Sequence, residues 1–224
     1  MAPLRMCVAL GPPAIYLLLL GAINLSRRPL LVSGGRDAAA LALGLSGLVI
    51  VGPLELLLPV ETAAKFGDYV WLLLVGLYAM CTALYLLTMR PRLVVYNISM
   101  EKIRPVLAEL VNRLDAEARW AGDSLSLPSL GVHLYVDGFP FLRSVSLIAA
   151  GGRQTHAGWR RLESGLRAVL ADEENPRNLR ALPFLIVGGL LLVFLAYLVS
   201  RDPQAAAGPL LDLVQALLKL MKVR

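Results

Sequence analysis

Four long apolar stretches and one charged block set the pattern of this chain. The apolar stretches run over 6–25, 37–59, 69–89 and 181–201. Each holds roughly the 20 residues that a helix needs to cross a bilayer core, so the pattern predicts about four transmembrane helices. Pro12 and Pro13 should kink the first helix or delay its start. Arg5 ahead of an apolar run also fits a signal peptide, but no small-residue cleavage site follows, and an uncleaved helix is expected. Asp37 follows Ser33-Gly34-Gly35 and suits the N-cap of the second helix. Gly52-Pro53 should bend that helix near its far end. Tyr69 and Trp71 suit a membrane interface at the start of the third. Ala40 with Gly44, and Ala79 with Ala83, are small residues four apart, a spacing that lets a neighbouring helix approach closely.

Between the third and fourth stretches, residues 90–180 read as a small soluble domain. Leu93 to Ile98 is a short run of β-formers, as in a strand buried on both faces. A helix should follow, with Ile103, Val106, Leu107, Leu110, Leu114 and Ala118 on one face. Pro105 suggests that its first regular turn starts later than Ser99 implies. Leu125 and Leu127, then Val132, Leu134 and Val136, then Val145, Leu147 and Ala149 alternate with polar residues, which predicts three half-exposed antiparallel strands. Trp159, Leu162, Leu166, Val169 and Leu170 mark a second helix. The order β-α-β-β-β-α suggests a ferredoxin-like α+β domain with both helices on one face of the sheet.

The tail, 202–224, begins as a linker. From Pro209 its polar residues Asp212, Gln215, Lys219 and Lys222 fall on one narrow stripe, and Leu213 and Leu217 belong to the apolar remainder. This predicts an amphipathic helix for the membrane interface or a partner, with Leu213, Leu217, Lys219 and Lys222 as its contact residues. The expected fold class is therefore membrane α-helical, with an inserted α+β domain and a C-terminal amphipathic helix.

Composition strengthens the membrane reading. Hydrophobic residues make up 57% of the 224 and charged residues only 17%, against about a quarter charged in ordinary soluble domains. The formal charge of +6 brings no aromatic-interleaved basic stripe, so nucleic acid is not an expected partner. The two cysteines, Cys7 and Cys81, both lie in apolar stretches, which excludes a disulfide framework and a thiolate metal site. Two histidines exclude a His-rich metal site, and no cofactor is expected. Arg27, Arg28, Arg36, Arg90, Arg92, Arg177 and Arg180 flank the spans on one side, against Arg5, Lys65 and Arg201 on the other. The positive-inside rule then puts 90–180 in the cytoplasm. Arginines outnumber lysines by 18 to 4, which hints at a bacterial source and a bacterial cytoplasmic membrane.

Few residues suggest chemistry. Glu55 is an acid inside an apolar stretch, costly in lipid and so a candidate by default, although it lies near enough to Pro59 to reach interfacial water. His133, Tyr135 and Asp137 share one strand face. His133 and Asp137 would stand about 13 Å apart, too far for a direct bond, so the face reads as solvated or as a docking surface. Gly151 to Thr155 could hold an anion on free N–H groups, although a plain turn is the simpler reading. Arg153 and Arg160, with Arg161 and Arg167, form a basic face for solvent or anionic headgroups.

No catalytic set and no metal-ligand spacing is visible. The expected function is a non-enzymatic membrane scaffold or accessory subunit whose domain docks a protein or ligand. It would meet lipid, and a protein partner or a second copy, through its helices or its tail. A transporter or channel component is a rival, but Glu55, Asn24, Ser46 and Thr82 are too few polar residues for a self-sufficient pathway. A membrane-bound enzyme is the other, and would need convergent titratable groups.

Overall fold

The computed structural model describes residues 3–54, 69–140, 142–152 and 154–201. Glu55, Arg153 and the whole tail from 202, with Leu213, Leu217, Lys219 and Lys222, lie outside the described residues. The chain forms two compact units, one of apolar helices and one built around a sheet.

Among the described residues, three helical stretches are long and apolar enough to cross a membrane: Leu4–Leu25, Gly34–Gly52 and Leu179–Arg201. The first belongs to α1, Pro3–Leu25, which runs unbroken through Pro12 and Pro13. The delayed start expected from those prolines does not occur. Apolar helices tolerate proline where neighbouring groups satisfy the freed carbonyls. The second is α2, Gly34–Val49, continued by a π-helical turn at Ile50–Leu54 that contains Gly52 and Pro53. The bend expected there takes the form of a widened turn, a common response to a proline that removes one ladder bond. The helix α3, Tyr69–Thr88, has 20 residues, about 30 Å of helix.

Within the helical unit, α1 meets two other helices through glycine. A Cβ on Gly44 would stand 2.8 Å from the Tyr16 side chain, and one on Gly47 only 1.9 Å from the Val8 carbonyl oxygen. One on Gly188, in the last helix, would meet the Ala14 carbonyl oxygen at 3.0 Å and Leu18 at 2.9 Å. The α1–α2 crossing is thus centred on Gly44 and Gly47, one turn apart. Of the Ala40–Gly44 pair, Gly44 lies at this crossing and Ala40 is exposed. Ala79 and Ala83 are likewise exposed on α3. The Tyr78 hydroxyl instead ties α3 to α2, donating to the Ala42 carbonyl at 2.7 Å.

The second unit holds a six-stranded, wholly antiparallel sheet in the order β1-β2-β6-β5-β4-β3. Its strands are β1 (Leu30–Ser33), β2 (Arg92–Tyr96), β3 (Arg119–Ala121), β4 (Ser124–Leu127), β5 (Val132–Phe139) and β6 (Ser144–Ala149). Between β2 and β3 runs α4, Met100–Leu114, and after β6 runs α5, His156–Ala171. A single 3-10 turn at Leu179–Ala181 leads into α6, Leu182–Arg201.

The alternation reads out directly. Leu93, Val95, Leu125, Leu127, Val132, Leu134, Val136, Val145, Leu147 and Ala149 share one face of the sheet and are buried. Against them pack Ile103, Leu107, Leu110 and Val111 of α4, and Trp159, Leu162, Leu166 and Leu170 of α5. All of β2 from Leu93 to Tyr96 is buried, as its unbroken apolar run predicts. The helix α4 begins at Met100 despite Pro105, because the N–H groups of Lys102 and Ile103 both bond to the Ser99 carbonyl.

Two strands correct the expected β-α-β-β-β-α order. The short β3 turns back on β4 through Gly122-Asp123, a two-residue hairpin loop with Gly122 at φ +63°. The other, β1, comes from between α1 and α2, sixty residues upstream of its partner, and pairs Leu30 with Tyr96, Leu31 with Val95 and Val32 with Val94. The sheet is therefore a β3–β6 meander extended by β2 and β1, in place of the ferredoxin-like order.

Candidate functional site

The two ends of β2 are polar junctions between distant segments. At its start, Asp37 accepts from Arg92 Nη2 at 2.8 Å and also from the Tyr96 hydroxyl. Because α2 starts at Gly34, Asp37 lies inside the first turn and reaches the sheet instead of capping its own helix. At the end of β2, Asn97 adopts φ 59°, a region in which asparagine is tolerated. Its side chain donates to the Ser26 carbonyl at 2.6 Å. Asn175 donates from its side chain to the Asn97 carbonyl at 2.8 Å and from its backbone to the Arg27 carbonyl at 2.7 Å. Lys102 Nζ donates to Asn175 Oδ1 at 2.9 Å. Both asparagines are buried; the bonds satisfy the Asn97 amide N–H and both ends of the Asn175 amide, whereas Asn97 Oδ1 has no partner among the described residues.

Asp115, at the C-terminal end of α4, anchors the turn before β5. It accepts from the Ser129 hydroxyl at 2.7 Å and from the N–H groups of Ser129 and Glu117, each at 2.9 Å. Burial works against its charge, but these bonds and one from the Leu130 backbone outweigh it and hold the carboxyl below its usual range.

On the face of the sheet opposite α4 and α5, His133, Tyr135 and Asp137 are exposed along β5, as their alternation predicts. The sheet does not bring His133 and Asp137 together. It brings His133 to Ser126, whose hydroxyl lies 2.9 Å from His133 Nδ1. The two are register partners on β4 and β5, a relation visible in sequence only once the hairpin register is known. The Gly151–Thr155 loop is held by Gln154, whose amide donates to the carbonyls of His133 at 2.9 Å and Ala150 at 2.7 Å and accepts from Trp159 Nε1 at 2.9 Å. Arg160 is exposed on α5.

Tyr135 and Asp137 line an open cleft of about 950 Å3. Its walls are the far half of β5 with Phe139, the start of α4 at Ser99, Met100 and Glu101, and the segment that leads to α6, with Asn178 and Arg180. The cleft exists because β5 outruns its neighbour. Pairing with β4 stops at Tyr135–Ser124 while pairing with β6 continues to Phe139. Arg143, at φ 47°, closes one side. Its carbonyl accepts from the Ile98 N–H at 2.7 Å and its guanidinium donates to the Pro176 carbonyl at 3.1 Å. Sequence does not mark Glu101, Arg143 or Arg180 as cleft residues, since they come to it only through the β2–α4 turn, the β5–β6 turn and the approach to α6.

Among the described residues, no group of three or more His, Cys, Asp or Glu side chains is placed to hold a metal ion. The chain matches no protein family, no curated protein and no solved structure.

Proposed function

We propose that this chain is a non-enzymatic integral membrane protein, a scaffold or accessory subunit, with four spans and a cytoplasmic α+β domain that docks a protein or ligand. The pairing of β1 with β2 is the observation that carries this reading. A strand after the first apolar helix and a strand after the third can join one sheet only if the chain crosses the bilayer an even number of times between them. Crossings by α2 and α3 satisfy this, which supports counting α3 as a span beside the other three helices. In this topology Arg27, Arg28 and Arg36 share a side with Arg90, Arg92, Arg177 and Arg180. Their excess over the other side supports a cytoplasmic domain. The cleft beside β5, with exposed Tyr135 and Phe139, is the docking surface.

The test is in-cell photo-crosslinking. A benzophenone amino acid at Phe139 of the full chain should yield a discrete adduct that co-purifies in mild detergent. The same probe at Arg161, on the far side of α5, should not. Equal adducts at both positions, or none at Phe139, would overturn the docking assignment.

A further inference from the structure

One stretch of β5 backbone is open on the side of the cleft. The Ala150 N–H donates to the His133 carbonyl at 2.8 Å. Facing residues in an antiparallel ladder alternate between bonded and non-bonded pairs. His133, Tyr135, Asp137 and Phe139 therefore turn their backbone groups toward β6, and Leu134, Val136 and Gly138 turn theirs the other way. Val136 agrees, since its N–H donates to the Asp123 carbonyl at 2.8 Å. Asp123 belongs to the β3–β4 hairpin loop, and pairing with β4 goes no further. The Gly138 N–H and carbonyl, two residues on, thus face the cleft past the end of β4. Among the described residues, neither takes part in a hydrogen bond.

Gly138 is half-exposed and has no side chain to shield these two groups. A glycine inside a strand often marks the place where another backbone comes close, and an unpaired strand edge is a template for an extended chain. Its neighbours in sequence add specificity. Asp137 and Phe139 are exposed on the outer face of the sheet. Among the described residues, Asp137 takes part in no salt bridge. A strand laid beside Gly138 would set one side chain opposite each of them. Aromatic with β-branched and acid with base are favourable cross-strand pairs, so a valine suits Phe139 and a lysine suits Asp137.

We propose that β5 accepts an extended segment of another protein as a short antiparallel strand in line with β4. The central residue of that segment exchanges both backbone hydrogen bonds with Gly138. The β-branched residue before it lies against Phe139, and the basic residue after it lies against Asp137. The added strand stops there, because Asp123 already holds the position opposite Val136. The inference rests on the domain being a docking module and names how a partner docks, by strand addition. In the proposed topology, the segments 55–68 and 202–224 follow spans that leave the side of the domain, so the occupant comes from another chain.

The probe is the peptide acetyl-threonyl-valyl-seryl-lysine amide, added to the full chain in maltoside micelles with isotope-labelled glycine. Nuclear magnetic resonance reads the Gly138 amide, and Gly138→Ala assigns its signal. Millimolar peptide should slow exchange of that amide with solvent saturably, by ~10-fold or more. The same peptide N-methylated at its serine should not, because it lacks the donor for the Gly138 carbonyl. Gly138→Pro removes the free N–H, at a kind of strand position that tolerates proline. It should abolish binding of the fluorescein-tagged peptide, read by anisotropy, and Asp137→Asn should weaken it. An unchanged melting temperature verifies each fold; if Gly138→Pro does not fold, the N-methylated peptide decides. No saturable slowing, equal slowing by both peptides, or undiminished binding to folded Gly138→Pro overturns the inference. So does a Phe139 crosslink to a second copy of this chain, which would make the chain its own occupant. A crosslink from Phe139 to another protein, with Gly138 unprotected by the peptide, keeps the docking module and rejects strand addition; no crosslink at Phe139 rejects the module itself.

Discussion

Leu31 and Val95 face each other across the β1–β2 ladder, both on the side of the sheet that packs against the core. Leu31 is half-buried there and Val95 fully buried. If β1 is an integral strand, Leu31→Ala should destabilise the sheet unit by about 1–2 kcal/mol, below the range for a fully buried leucine. Urea unfolding in detergent, followed by tryptophan fluorescence, measures this. An unchanged midpoint would mean that β1 adds nothing to the sheet.

Gly158 in the first turns of α5 offers a sharper test. Helix propensity alone would make Gly158→Ala stabilising by up to about 1 kcal/mol. The new Cβ, however, would stand 2.2 Å from the Leu130 carbonyl oxygen and 2.7 Å from Val132 Cγ2. Backbone cannot yield as a side-chain tip can, so the expected result is net destabilisation of about 1–3 kcal/mol. A more stable variant would show that α5 sits farther from the Leu130 turn than described.

Asp115 sets an acid limit. Its carboxyl is held below its usual range in the folded state. Its contribution is therefore complete above the ordinary carboxylate range and is lost as pH falls through the folded value. Between about pH 6 and pH 3, spanning the ordinary Asp value, the parent should lose more stability than Asp115→Asn. Parallel stability curves for the two proteins would show that the bonds to Ser129 and Glu117 do not favour the ionised form.

Orientation is tested at Ala168, exposed on α5. In a background where Cys7 and Cys81 are replaced by Ala, Ala168→Cys should resist a membrane-impermeant maleimide in intact cells and react after permeabilisation. Labelling of intact cells would reverse the proposed topology.

The legible part of this fold was local. Alternation in 125–149 identified three strands and their inward faces because each side of a half-exposed strand declares itself within a few residues. The faces of α4 and α5 were equally plain. What escaped was nonlocal or very short. Leu30-Leu31-Val32-Ser33 is too brief to stand out between two apolar helices, and its partner is distant in sequence. Its signal, an apolar triplet between Pro29 and Gly34, is interpretable only with β2 beside it. β3 has three residues, and Gly122-Asp123 was its only marker. The same limit applied to the site. Tyr135 and Asp137 were visible as a strand face, but Glu101, Arg143 and Arg180 meet them only because three separate turns converge. Gly47 is silent in sequence for a related reason, since a spacing of three from Gly44 carries no motif until the partner helix arrives.

The β1–β2 ladder also has a consequence for biosynthesis. Leu30 to Ser33 emerge from the ribosome long before Arg92 to Tyr96. In the proposed topology, two hydrophobic helices must be integrated before the later strand reaches the same compartment. Until then the early strand waits without its hydrogen-bonding partner. Closure of the sheet thereby becomes a checkpoint on insertion: a chain in which α2 and α3 fail to cross and return is left with an unmatched strand on the wrong side of the bilayer.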